Sequence, residues 1–171
     1  MSSPEIAAIR NIALLGHAGS GKTLLTEQLL AHGGVKGEPG SIERGDTMTD
    51  FDPLEKQYRH SLDSAIVHFP AGKARVQLID TAGDPDFRGQ TLSAMSAVET
   101  AAVVVNAVNG VESSTRRLMR RAKQRRLCRI MIINRIDADD LDLESLVRQI
   151  REEFGPECLP VNLPAANRTA V

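Results

Sequence analysis

Between the apolar run Asn11-Ile-Ala-Leu-Leu15 and the amphipathic stretch Lys22 to His32 lies Gly16-His-Ala-Gly-Ser-Gly21-Lys22-Thr23, and this octapeptide constrains the fold more than any other part of the chain. Its spacing, G-x-x-x-x-G-K-[ST], is that of a turn that wraps a phosphate group. Glycines let the backbone curl until successive N–H groups point inward at phosphate oxygens. The helix that opens at Lys22 adds positive partial charge at the same spot. Such a turn needs a buried strand before it and a helix after it, and both are written in the flanking sequence. Lys22 is then placed to reach the β- and γ-phosphates, and the Thr23 hydroxyl to bind Mg²⁺. His17, Ala18, Gly19, Ser20, Gly21 and Leu24 complete the loop that would cradle the nucleotide, with His17 at a variable position of the motif.

The rest of the chain alternates in the same way. Ser64 to Phe69 and Ala74 to Asp80 read as strands joined by the hairpin turn Pro70-Ala71-Gly72-Lys73, and Ala101 to Ala107 and Arg129 to Asn134 as buried strands. Helices are predicted over Asp86 to Val98, Val111 to Leu127 and Asp142 to Phe154, the last stopped by Gly155-Pro156. Residues 33–53 are rich in Gly, Pro and Asp without periodicity and read as a long loop, and the tail from Glu157 is irregular. Alternating strands and helices imply right-handed crossovers and a mostly parallel sheet with helices on both faces and one antiparallel hairpin strand. Aromatic residues make up only 3% of the chain, so the core must be built from Ile, Leu, Val, Ala and Met, as suits a covered parallel sheet. At 171 residues a single domain is expected.

Ligands of such sheets bind at the carboxyl ends of the strands, and two further motifs stand there. Asp80-Thr-Ala-Gly83 closes the strand ending at Ile79. A carboxylate in that position can hold Mg²⁺ through its water shell, and a Gly83 amide unobstructed by a Cβ can approach a γ-phosphate. Asn134-Arg135-Ile-Asp137 follows the strand Arg129 to Ile133. Guanine presents N1–H and N2–H₂ as parallel donors that one carboxylate, Asp137, can accept together; adenine would leave that carboxylate unsatisfied. Asn134 would meet the other side of the base or brace the phosphate loop, and Arg135 would stack over the base plane. An ATPase or kinase reading conflicts with this pair.

Net charge is −1, so any contact with nucleic acid must be local. Cys128 and Cys158 form neither a zinc pattern nor a disulfide framework, and His32, His60 and His68 show no metal spacing. The N-terminus has no basic start followed by a long apolar stretch, and the longest apolar run is too short to span a bilayer. A soluble, cytoplasmic, monomeric protein without membrane contact is expected.

Taken together, Gly16–Thr23, Gly45-Asp46-Thr-Met-Thr-Asp50, Asp80-Thr-Ala-Gly-Asp-Pro-Asp86-Phe87, Ala107-Val-Asn-Gly-Val111, Asn134–Asp137 and Cys158-Leu-Pro-Val161 with Pro164 resemble the N-terminal G domain of elongation factor G and its paralogues. Asp50-Phe-Asp-Pro-Leu-Glu55 with Arg59-His60-Ser61-Leu62 looks more like a divergent elongation factor G-like branch than the standard translocase. The resemblance implies an α/β P-loop NTPase fold, GTP/GDP with Mg²⁺ as ligands, GTP hydrolysis, and the ribosome with its RNA as partner of the full-length protein. It makes residues 33–63 a mobile switch I and 80–90 switch II. The family continues with an insert, a Ser-Ala guanine-binding loop and a last strand and helix. Residues 165–171 contain no such loop, so a truncated domain of weak affinity and partly uncovered sheet is expected.

Three positions depart from the family pattern: Arg135 stands where Lys is usual in the guanine signature, and Ser61 and Asp84 also differ. Ser61 stands where a Thr binds Mg²⁺, keeping the hydroxyl and losing the methyl that restricts χ1. Asp84 stands where a His orients the attacking water; a carboxylate can assist as a general base but adds negative charge beside the γ-phosphate, so slow hydrolysis is expected, with Asp84 and Lys22 as the catalytic pair. This leaves open a module that binds GTP with little or no hydrolysis and is read by a protein partner. Finally, Arg116, Arg117, Arg120, Arg121, Lys123, Arg125 and Arg126 crowd one helix around a buried stripe of Leu118, Met119 and Ala122. A solvated face, partly balanced by Asp139, Asp140 and Asp142, or an RNA-docking face would account for them.

Overall fold

The computed structural model describes residues 5–84, 88–139, 141–162 and 164. Its centre is a five-stranded sheet of β1 (Ile9–Leu15), β2 (Ala65–Ala71), β3 (Ala74–Asp80), β4 (Thr100–Asn106) and β5 (Cys128–Asn134), in the order β2-β3-β1-β4-β5. The β2–β3 pair is antiparallel and the other three pairs are parallel, as the hairpin and the crossovers require. The helices are α1 (Lys22–His32), α2 (Pro53–Tyr58), α3 (Arg88–Ala94), α4 (Ser113–Gln124) and α5 (Leu143–Phe154).

The two-residue period of the strands divides the core between the two faces. Ala13 and Leu15 of β1, Ile79 of β3 and Ala101 and Val103 of β4 meet Ala94 and Met95 at the end of α3 and Met119 and Ala122 of α4. The intervening residues Leu14, Leu78, Ala102 and Val104 turn the other way, onto Leu25, Leu29 and Leu30 of α1, with Val67 and Phe69 closing that side. Leu146 and Ile150 of α5 pack near Met131 and Ile133 of β5. Fully burying a leucine such as Leu14, Leu15 or Leu30 contributes about 2 kcal/mol.

β5 is an edge strand. Its residues are only partly buried and Ile130 is 47% exposed, whereas Ala101 to Val105 of the adjoining β4 are fully buried.

The sequence reading misses α2. The expected switch I loop, 33–63, is irregular as far as Asp52, but then carries this helix. Asp52 caps it through Leu54 N, Pro53 takes the first helical position, and Glu55 returns a bond to Asp52 N. The signal, Asp-Pro-Leu-Glu, was legible as a capping box with proline at its preferred place. Other differences are of boundary. β1 starts two residues earlier than expected because Ile9 and Arg10 pair with Arg75 and Val76. The helix expected over Asp86 to Val98 is seen as α3, and Asp86 and Phe87 lie outside the described residues. The tail shows no helix or strand through Asn162, and 165–171 also lie outside them.

Candidate functional site

The loop between β1 and α1 closes as its glycines predict. Gly21 adopts φ 95°, a left-handed conformation that favours glycine, and a Cβ there would collide with the Asn134 amide. Asn134 Nδ2 donates to Ser20 O at 2.9 Å, so Asn134 braces the phosphate loop, one of the two roles read from the sequence. Lys22 Nζ folds back onto the loop, donating to Gly16 O at 3.1 Å and His17 O at 3.0 Å. Burial lowers the Lys22 pKa, and Asp80 opposes this by favouring the charged ammonium. His17 Nδ1 lies 2.7 Å from Ala18 O and 4.0 Å from a Glu112 carboxylate oxygen. Gly19 is exposed and Leu24 is at the surface, so both reach solvent at the loop's rim.

β3 brings its motif against this loop. Thr81 Oγ1 donates to Leu14 O at 2.7 Å, pinning the strand end to β1. A Cβ on Gly83 would fall 2.7 Å from Ala18 N and onto Lys22 Nζ, so the glycine is what lets the two segments touch. Asp80 is buried and neither carboxylate oxygen has a hydrogen-bond partner among the described residues. The hydroxyls of Thr23 and Thr49 stand close enough to favour its charged form without bonding it in standard geometry. Burial is the largest influence and pushes the Asp80 pKa up to about 6, against the pull of Lys22. An orphaned buried carboxylate beside hydroxyls is an oxygen-only environment suited to a hard cation such as Mg²⁺. No group of three His, Cys, Asp or Glu side chains among the described residues forms a protein cage. A magnesium ion held here would therefore take much of its shell from phosphate and water, which Asp80, Thr23 and Ser61 fit.

Ser61 arrives from the long loop. Its hydroxyl is 3.2 Å from Thr23 Oγ1 and donates to Asp50 Oδ1 at 2.7 Å, while Thr47 Oγ1 donates to Asp50 Oδ2 at 3.3 Å. Glu55, almost fully buried, accepts from Leu62 N and Asp63 N at 3.0 and 3.1 Å and so closes the segment that carries Ser61. Asp50, Thr49 and Glu55 were not among the candidates named from sequence. Their signal was three polar residues destined for burial in a loop without periodicity, which spacing alone does not reveal.

The base-reading candidates lie at the end of β5. Arg135 has φ 60° and an exposed side chain, and Asp137 is exposed in the same turn. Both directly follow Asn134, the residue that touches Gly21 and Ser20 of the phosphate loop. Asp84 is half-buried directly after Gly83. The clefts bordering α5 lie apart from this constellation and gather no buried ionisable group.

The family model for the elongation factor Tu GTP-binding domain matches residues 7–168. The chain belongs to that family. Its relatives include elongation factor G 2 of Streptomyces coelicolor, 34% identical over 164 residues that cover 96% of this chain and 24% of that protein. The tetracycline resistance protein TetW of Butyrivibrio fibrisolvens is 34% identical across 88% of this chain and 24% of its own. Mitochondrial ribosome-releasing factor 2 of Schizosaccharomyces pombe is 32% identical across 95% and 20%. A crystal structure of a Thermus thermophilus protein superposes with TM-score 0.87 at 38% identity, over 93% of this chain and 24% of that one. Bacterial elongation factor EF-Sec, at 22% identity and TM-score 0.67, shares the fold. The chain spans about a quarter of the length of these curated relatives. This GTP-binding domain is thus of the elongation factor G-like translational type, a family that generally binds GTP or GDP with Mg²⁺ and hydrolyses GTP. None of its described helices is long and apolar enough to cross a membrane.

Proposed function

We propose that this domain is a Mg²⁺-dependent GTP switch that works on the ribosome as part of an elongation factor G-like protein and hydrolyses GTP slowly. The observation that carries the reading is the convergence of Lys22, Thr23, Asp80 and Ser61 on one pole of the phosphate loop, with Asp80 buried and unpartnered among the described residues. Main-chain amides from His17 to Leu24 would bind the phosphates, and Asp137 and Arg135 would bind and cover guanine. Mg²⁺ supplies charge neutralisation across the β- and γ-phosphates when bound; Thr23, Ser61 and Asp80 set its place. Asp84, next to Gly83, would orient water, and its negative charge beside the γ-phosphate makes it a poor substitute for an imidazole.

Calorimetry with Mg²⁺ tests the binding. Heat with guanosine nucleotides and none with adenosine nucleotides is expected, and the reverse pattern would overturn the assignment. Asp84→His tests the chemistry by single-turnover phosphate release. It should rise in the variant while nucleotide affinity holds; equal or slower release would refute the role given to Asp84. That same residue favours the second reading, a GTP-binding module with little or no hydrolysis whose state a protein partner reads. Ribosome-stimulated phosphate release separates the two.

The cations of α4 are the local feature best suited to an RNA partner. Arg117, Arg120, Arg121 and Lys123, with Arg126 in the turn just after the helix, are exposed and meet no carboxylate among the described residues. The expected balance by Asp139 and Asp142 is not seen: the ion pair runs from Arg116 to Glu153 at 3.0 Å, and Asp142 instead caps α5 through Ser145 N. Asp140 lies outside the described residues. α4 starts at the carboxyl end of β4 and runs back along the sheet, so its basic last turn faces away from the phosphate loop.

A further inference from the structure

α1 presents more than Thr23 toward the long loop. One helical turn further along, on the same face, stands Glu27. Its side chain is completely buried, a rare position for a glutamate unless its charge is matched. Here the match comes entirely from residues 36–48. Lys36 Nζ donates to Oε2 at 2.8 Å, Gly40 N to Oε2 at 2.7 Å and Met48 N to Oε1 at 2.5 Å.

The loop is wrapped tightly round this carboxylate. Lys36 Nζ also donates to Asp46 O at 2.8 Å, and Asp46 in turn accepts from Ser41 N at 2.7 Å and Arg44 Nε at 3.0 Å. A Cβ on Gly40 would lie 2.7 Å from both Glu27 Oε2 and Lys36 Nζ and 2.6 Å from Asp46 O. Directly after Met48 come Thr49, which stands beside Asp80, and Asp50, which receives Ser61.

We propose that Glu27 is a positioning residue: from the nucleotide-binding helix it holds residues 36–48 in one shape and so sets Thr49 and Asp50 against the magnesium pole. One helix then indexes both sides of that pole, Thr23 directly and the switch loop through Glu27. The nucleotide-responsive part of the loop is thereby confined to the segment beyond Asp50, which Glu55 closes as a separate unit. The proposal rests on the reading of the site as one for Mg²⁺ and GTP.

Two variants of the full chain test it. Glu27→Gln removes the charge and one acceptor. Gly40→Ala leaves Glu27 in place and wedges the clasp open, at a residue whose φ is not in the left-handed region, and so serves if Glu27→Gln does not fold. Amide hydrogen exchange should show Gly40 and Met48 protected in the parent and at least about tenfold faster in either variant, with β4 amides unchanged. Affinity for GDP should stay within about twofold, while the Mg²⁺-dependent gain in affinity for a non-hydrolysable GTP analogue should fall about tenfold.

A general loss of packing would weaken GDP and the analogue alike, and that result overturns the proposal. So does rapid exchange of Gly40 and Met48 in the parent, or an unchanged analogue-to-GDP ratio in a folded variant. Failure of the parent to bind any guanine nucleotide would strike the reading of the site instead, and amide exchange would still decide whether Glu27 holds the loop.

Discussion

Asp80→Asn should make the nucleotide-free domain more stable at neutral pH while abolishing its response to Mg²⁺. Burial lifts the Asp80 pKa from 3.8 to about 6. Its folded carboxyl therefore keeps its proton to higher pH than the unfolded one. Below about pH 3.8 both states are protonated and the group costs nothing; between about 3.8 and 6 stability falls as pH rises; above about 6 the full penalty is present. A shift of roughly two units corresponds to about 3 kcal/mol. Asparagine keeps the shape and removes the charge. That figure is already net of the favourable pull of Lys22, which is among the influences that set the value of about 6. Urea unfolding without Mg²⁺ or nucleotide, at about pH 7.5 and about pH 4, reads the effect: a clear advantage for the variant at the higher pH that closes at the lower. Titration with Mg²⁺ and a GTP analogue should then stabilise the parent and leave the variant unmoved. A variant less stable at the higher pH, or a gap that does not change with pH, would refute the argument that the fold holds an uncompensated charge for a cation.

Further tests address the other parts of the site and the scaffold. Asp137→Ala should weaken guanine nucleotide binding by about 2 kcal/mol or more, through loss of a paired acceptor, without a matching loss of thermal stability, since the side chain is exposed; comparison of GDP affinity with melting temperature decides it. Arg117→Glu with Arg121→Glu should reduce affinity for an RNA stem-loop and flatten its salt dependence, leaving nucleotide affinity unchanged; identical salt slopes in parent and variant would assign those arginines to a solvated face. Leu30→Ala empties a fully buried site between α1 and the β2 side of the sheet and should cost about 2–5 kcal/mol in denaturant unfolding.

The amino-acid sequence by itself determined the order of strands and helices, the antiparallel hairpin, and the three motifs at strand ends. These are local signals: a period of two or 3.6, a glycine where the chain must turn, a carboxylate directly after a buried strand. Asn134 could be placed at the nucleotide's edge from its motif, but only tertiary contact between β5 and the phosphate loop decided that its amide braces Ser20. The capped helix α2 was legible in Asp52-Pro53-Leu54-Glu55 yet lay hidden in a stretch without hydrophobic periodicity, because a six-residue helix buries too little to leave a pattern. Glu27, Thr49 and Asp50, and the burial of Glu55 under Leu62 N and Asp63 N, were beyond sequence reasoning for a different cause. A polar side chain is buried at no great cost only when donors from distant residues converge on it, and Gly40 and Met48 reach Glu27 across 13 and 21 positions of chain. Which of many acidic residues receives such partners depends on how the loop folds back over α1, and that is settled in three dimensions.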